Sequence, residues 1–142
     1  MQVKDVMTKA CEYISPDATL MEAAQKMAKM DIGFLPIGSK AKDKLEGVIT
    51  DRDIVIRAIA KGLDPNEARV GEIESTRVLY CCQDDNLEEA AESMRDQHVY
   101  RLVVVSDSTN KRLCGVISLG DIHRHNQNQL AAEAAEGITR AA

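Results

Sequence analysis

The sequence predicts an α+β fold built from two copies of one strand, helix, strand, strand, helix unit, and three observations carry that reading. Gly47-Val48-Ile49-Thr50-Asp51-Arg52-Asp53-Ile54 returns as Gly115-Val116-Ile117-Ser118-Leu119-Gly120-Asp121-Ile122. Upstream, Asp17 to Ala24 returns 67 positions later as Asp84 to Ala91, and Leu35-Pro36-Ile37 returns at the same offset as Leu102-Val103-Val104. Between Gly47 and Gly115 the offset is 68, so one residue has been inserted where Ser39 to Asp43 and Ser106 to Lys111 read as polar turns, the place that tolerates insertion. Thirdly, each copy passes from a helical stripe of apolar residues to short β runs in the same order. A duplicated unit of this size rarely buries its apolar face alone, so the copies are expected to fold against one another around a shared core.

Each element has a local cause. Cys11 to Ile14 and Val78 to Cys81 read as short extended segments ahead of the first helix of each copy. Thr19 followed by Glu22 has capping-box spacing, and Leu20, Ala23, Ala24, Met27 and Met30 form one face of a helix running to about Asp31. Asn86 with Glu89 repeats the start signal, and Leu87, Ala90, Ala91 and Met94 repeat the stripe. Two β runs follow each helix: Phe34 to Ile37 and Leu45 to Ile49, then Arg101 to Val105 and Leu113 to Ile117. A second helix begins after Thr50 and ends near Gly62, and another begins after Ser118 and could continue into the Ala-rich tail. Leu63 to Ala68, with Asp64-Pro65-Asn66, is the linker. The boundaries are 1-65 for the first repeat, 66-126 for the second, and 127-142 for a polar, Ala-rich helix or tail, frayed or docked on a partner.

Composition removes several function classes. The 142 residues are 44% hydrophobic but only 3% aromatic, with no Trp, so the core is Ile, Val, Leu, Met and Ala and the stacking platforms of single-strand binders are missing. A net charge of −5 without a Lys/Arg stripe opposes nucleic acid as a partner. No stretch approaches the roughly 20 apolar residues that span a bilayer, and the N-terminus has no signal-peptide core, so a cytoplasmic protein that does not engage the membrane is expected. Cys11, Cys81, Cys82 and Cys114 are then reduced thiols, and none has metal-ligand spacing with His98, His123 or His125. No metal site is expected.

The residues with chemical content are Thr50 with Asp53 and Ser118 with Asp121. Both pairs stand where a Gly-Val-Ile strand turns into a helix, so unpaired N–H groups of a first helical turn gather there and favour an anion. A hydroxyl three residues before a carboxylate supplies a donor to a phosphate oxygen and an acceptor for vicinal ribose hydroxyls. The same spacing is also close to a capping box that needs no ligand, and both readings stand on the motif alone. Arg52 could reach a phosphate or remain a solvated residue beside Asp51; its counterpart is Gly120, so the two sites differ in charge and the Thr50 site is expected to hold polyphosphates more tightly.

Taken together, Asp5-Val6-Met7-Thr8, Asp17 to Ala24, Leu35-Pro36-Ile37 and the paired Gly-Val-Ile-Thr/Ser-x-x-Asp-Ile signatures resemble the CBS domain family, named after cystathionine β-synthase, over Val3 to His125. The resemblance implies two βαββα units packed sheet to sheet with pseudo-twofold symmetry, positions 1-126 forming one module with two clefts that often bind AMP, ADP, ATP or S-adenosylmethionine. It also implies that Asp53 and Asp121 accept from ribose hydroxyls and that Thr50 and Ser118 contact phosphate. Two departures stand out: Glu72-Ile73-Glu74 replaces Asp5-Val6-Met7, and Val103 replaces Pro36. Within the family the chain is most similar to small stand-alone CBS-pair proteins, some of them stress-associated.

No nucleophile–base pairing, Walker-type loop or metal spacing is present in the sequence, so an enzyme is not expected, nor is a required cofactor. The leading expectation is a regulatory module that senses an adenosine-containing ligand, forms a homodimer and modulates a protein in trans. The alternative is a ligand-free structural protein in which the hydroxyl–carboxylate pairs are helix caps and nothing more.

Overall fold

The computed structural model describes residues 1–9, 11–75, 77, 79–125 and 128–140. In chain order its elements are α1 (Val3–Val6), α2 (Leu20–Met30), β1 (Phe34–Ile37), β2 (Gly47–Thr50), a π-helical segment (Asp53–Ala58) running into a 3-10 turn (Ile59–Lys61), and a second 3-10 turn (Val70–Glu72). The remainder are β3 (Tyr80–Cys82), α3 (Leu87–Gln97), β4 (Arg101–Val105), β5 (Leu113–Ser118), α4 (Leu119–Arg124) and α5 (Asn128–Arg140). They form two compact units, Glu12–Val78 and a second one assembled from Met1–Cys11 with Leu79–Ala142.

In the unit Glu12–Val78, β1 and β2 pair antiparallel with Leu35 opposite Ile49, and Ile14 adds a parallel bridge to Ile37. Helix α2 begins with the expected reciprocal cap: Glu22 N–H donates to Thr19 Oγ1 at 3.1 Å, and Thr19 N–H to Glu22 Oε2 at 3.3 Å. It stops at Asp31, which takes the left-handed conformation at φ 54°. Leu20, Ala23 and Met27 bury their stripe against Leu35, Ile37, Ile49 and Ile54.

In the other unit the sheet order is β3-β4-β5, with β3 parallel to β4 and β5 antiparallel to it. Leu87, Ala91 and Met94 of α3 pack with Leu102, Val104, Ile117 and Ile122. The Ala-rich tail is helix α5, whose Ala131, Ala134 and Ile138 join this same core instead of fraying; Gln127, Ala141 and Ala142 lie outside the described residues.

Several local expectations are corrected. The second strand of the first repeat starts at Gly47, two residues beyond Leu45, because the chain is still turning through Asp43 at φ 45°. The helix after Thr50 is wound as a π-helix, whereas its counterpart after Ser118 is α-helical and ends before α5 begins. Asn86 does not close a capping box: its side-chain amide donates to Glu89 Oε1 at 3.3 Å and accepts no backbone N–H. The extended run expected from Val78 appears as Tyr80–Cys82, Val78 itself lying outside the described residues.

The segment that precedes each repeat is built into the unit of the other repeat. Val3 N–H donates to the Asp85 carbonyl at 2.9 Å, Lys4 N–H to Gln83 at 2.9 Å, and Leu87 N–H to Met1 at 3.0 Å. Sixty-seven positions on, the same three bonds recur as Val70 to Ala18 at 2.8 Å, Gly71 to Pro16 at 2.9 Å and Leu20 to Ala68 at 3.0 Å. Val3 and Val70, fully buried, fill matching places in the two cores. Removing two methyl groups from a packed site costs the transfer of those groups plus a cavity. The variant Val70→Ala is therefore expected to lose about 2 kcal/mol in urea unfolding, with hydrogen exchange accelerating first in residues 14–58 although Val70 lies beyond the first repeat.

Candidate functional site

Thr50 ends β2, and Asp53 opens the π-helical segment. Asp53 N–H donates to Thr50 Oγ1 at 3.0 Å, and Thr50 N–H donates to Asp53 Oδ2 at 2.9 Å, so the pair closes on itself across the strand-to-helix turn. Asp53 is 7% exposed. Its remaining oxygen, Oδ1, faces Arg57 Nη1 at 3.7 Å. Arg57 is anchored in turn, donating to the carbonyls of Ile73, at 3.1 Å, and Glu74. Arg52 lies exposed, with its backbone N–H on Asp51 Oδ1 at 2.8 Å.

The second pair repeats the closure. Asp121 N–H donates to Ser118 Oγ at 3.1 Å, and Ser118 N–H to Asp121 Oδ2 at 2.9 Å, with Asp121 only 4% exposed. Here Oδ1 accepts from Thr8 Oγ1 at 3.3 Å and from the Arg124 guanidinium. A buried carboxylate needs such partners, because one left unpaired would be strongly destabilising.

Thr8 reaches Asp121 because the leading segment crosses β5: Thr8 N–H donates to the Val116 carbonyl and Val116 N–H to the Thr8 carbonyl, both at 2.8 Å. That crossing explains the glycine at 115. A methyl group on Gly115 would overlap the Thr8 carbonyl oxygen, and one on Gly47 would overlap the Glu74 carboxylate, where Ser75 N–H meets the Val48 carbonyl at 2.7 Å.

The sequence reading named Thr50, Asp53, Ser118, Asp121 and Arg52, and missed Thr8, Arg57 and Arg124. The two arginines had a signal: they stand four and three residues after a carboxylate on the same helix. Both spacings bring the cation back to its aspartate because the π-helix needs more residues per turn than the α-helix. Thr8 had none, since only the tertiary crossing brings it there.

The thiols stand apart from these pairs. Cys81 lies in the core of its unit, where burial first and the Asp85 carboxylate second push it up to about 12. Burial, then Asp85, also raises Cys82. Among the described residues no group of three or more His, Cys, Asp and Glu side chains could hold a metal ion, and no helix is long and apolar enough to cross a membrane.

The family model described as CBS domain matches residues 3–59 and 70–127. The chain belongs to the CBS domain family, and its fold is a tandem of CBS motifs. It is 38% identical over 122 residues to Hypoxic response protein 1 of Mycobacterium tuberculosis, covering 86% of this chain and 82% of that protein. A crystal structure of Hypoxic Response Protein I, described with two coordinated zinc ions, superposes with a TM-score of 0.78 at 38% identity over 88% of this chain and 98% of that one. The CBS domain protein PAE2072 from Pyrobaculum aerophilum, complexed with AMP, gives a TM-score of 0.78 at 26% identity, covering 93% and 99%. The CBS domain pair of protein MJ0100, in complex with 5-methylthioadenosine and S-adenosyl-L-methionine, gives 0.73 at 28% identity, covering 91% and 98%.

Both hydroxyls accept from helix-turn N–H groups, so each acts as a cap whatever else it does. Replacing Ser118 or Thr50 by Ala is expected to lower stability by about 1 kcal/mol each, read from the midpoint of urea unfolding.

Proposed function

We propose that this chain is a regulatory ligand-binding protein: an adenosine-bearing compound, AMP, ADP, ATP or S-adenosylmethionine, is held by Thr50 and Asp53, by Ser118 and Asp121, or at both sites, and the bound state is read by a second protein in trans. Its work is differential binding, not turnover. The observation that carries this reading is the twofold occurrence of a nearly buried aspartate whose Oδ2 is fixed by a backbone N–H while Oδ1 faces an arginine, Arg57 at one site and Arg124 at the other. Such an oxygen can accept from a vicinal diol, and the neighbouring hydroxyl can turn to a phosphate. Support comes from the AMP and S-adenosyl-L-methionine complexes of similar proteins.

A second reading, the ligand-free scaffold, is favoured by the closure of both hydroxyl–carboxylate pairs into complete caps. Calorimetric titration with AMP, ATP and S-adenosylmethionine separates the two. The variants Asp53→Ala and Asp121→Ala each remove a charged acceptor, and each is expected to weaken binding at its site roughly tenfold to a hundredfold while the circular dichroism spectrum is kept. Absence of heat with every ligand would favour the scaffold.

The proposal includes a homodimer. In the unit Glu12–Val78, Val55, Ile56, Ile59 and Leu63 are 54%, 47%, 48% and 39% exposed at or beside a groove of about 460 Å³ whose lining is mainly apolar, with Met27, Ile32 and Ile54, and includes Asp31 and Asp51. In the other unit α5 covers the corresponding face of α3 and α4. Exposed apolar patches of this kind are commonly closed by symmetric association. Light scattering is expected to give twice the mass of one chain, and Ile56→Asp with Ile59→Asp to give the single-chain mass with the fold intact.

A further inference from the structure

We infer that Arg124 makes the Ser118–Asp121 site select a phosphorylated nucleoside over a bare one, by exchanging its ion pair with Asp121 for one with the phosphate. This rests on the reading of that site as a ribose-binding one and adds the class of ligand it takes. In the sequence Arg52 stands opposite Gly120, from which the Thr50 site is expected to hold polyphosphates more tightly than the Ser118 site. The structure puts a guanidinium at both. Arg124 folds back toward the start of α4, so that a methyl group built on Gly120 would lie 3.5 Å from Arg124 Nη1 and 3.5 Å from Ser118 Oγ. The guanidinium and the hydroxyl that would meet a phosphate thus flank the same residue at the start of α4.

The two arginines differ in what holds them. Arg57 is tied to two main-chain carbonyls, and its side chain is 35% exposed, so it stays in place whatever Asp53 does. Arg124 is 65% exposed, and its side chain ion-pairs with Asp121. Asp121 Oδ1 accepts from both Thr8 and Arg124, so a diol that takes it competes with these donors, and the arginine is the one standing in solvent. A bare nucleoside then competes with the guanidinium and offers it nothing, whereas a nucleotide gives the displaced fork a doubly charged oxygen group with the geometry it binds best. Selectivity therefore arises from competition removed in one case and compensated in the other.

The test uses the full chain carrying Asp53→Ala, which leaves one site, and calorimetry with AMP and with adenosine. The parent is expected to bind AMP at least tenfold more tightly than adenosine. Adding Arg124→Gln is expected to weaken AMP about tenfold and to strengthen adenosine, so that the preference collapses; Arg124→Lys, which keeps the charge but loses the fork, falls between and serves if the Gln variant does not fold. A preference that survives Arg124→Gln, or equal weakening of both ligands as a mere prop of Asp121 would cause, overturns the role of Arg124 while leaving the nucleotide reading intact. Binding that vanishes in the Asp53→Ala parent overturns it as well. Silence with AMP and adenosine in the unsubstituted chain would sink both readings together.

Discussion

The main-chain crossing of each leading segment over a Gly-Val-Ile strand is the constraint on which the other features depend. At Thr8 and Val116 it is a pair of 2.8 Å hydrogen bonds, and at Ser75 and Val48 a single one of 2.7 Å. The crossing requires glycine at 115, because the Thr8 main chain occupies the space of a side chain; at 47 that space is held by the Glu74 side chain. It seats Val3 and Val70 in the cores and carries Thr8 to the oxygen of Asp121 that the backbone leaves free. A fully buried valine contributes on the order of 1.5 kcal/mol or more, so each small unit relies on a contribution from outside its own repeat.

Much of this was legible in the sequence, for identifiable reasons. The repeat is visible because both copies carry the same glycine, a hydroxyl and the same carboxylate at one turn. Helix α2 announced itself through Thr19 and Glu22, whose bonds depend only on neighbours three residues apart. What the sequence concealed depends on distant partners or on backbone winding. The π-helix over Asp53–Ala58 has the same apolar spacing as an α-helix, and no residue in it marks the wider turn. Asn86 carries the right residue type for a cap, yet its amide finds the Glu89 carboxylate first. The extra arm of the site, Thr8, stands more than a hundred residues from Asp121.

The two hydroxyl–carboxylate pairs are near copies at the level of the motif and diverge one layer out. Asp53 is backed by a guanidinium fastened to Ile73 and Glu74, which makes that site part of a rigid clamp on the chain leaving the first repeat. Asp121 is backed by a threonine hydroxyl and by an arginine standing in solvent, a softer arrangement. Duplication preserved what the turn needs and released what surrounds it. The same divergence shows at the helices, where α5 closes one face and Val55, Ile56 and Ile59 leave the other open.

The exchange of leading segments also bears on ancestry. A chain with one copy of this motif owns one such segment and, with this geometry, can complete its neighbour's core but not its own. Such a single-copy chain would complete both cores only as a swapped pair of identical chains, each lending its first residues to the other. With both copies in one chain, joined through Leu63 to Ala68, the same exchange is an encounter within one molecule, at an effective concentration that the connection sets.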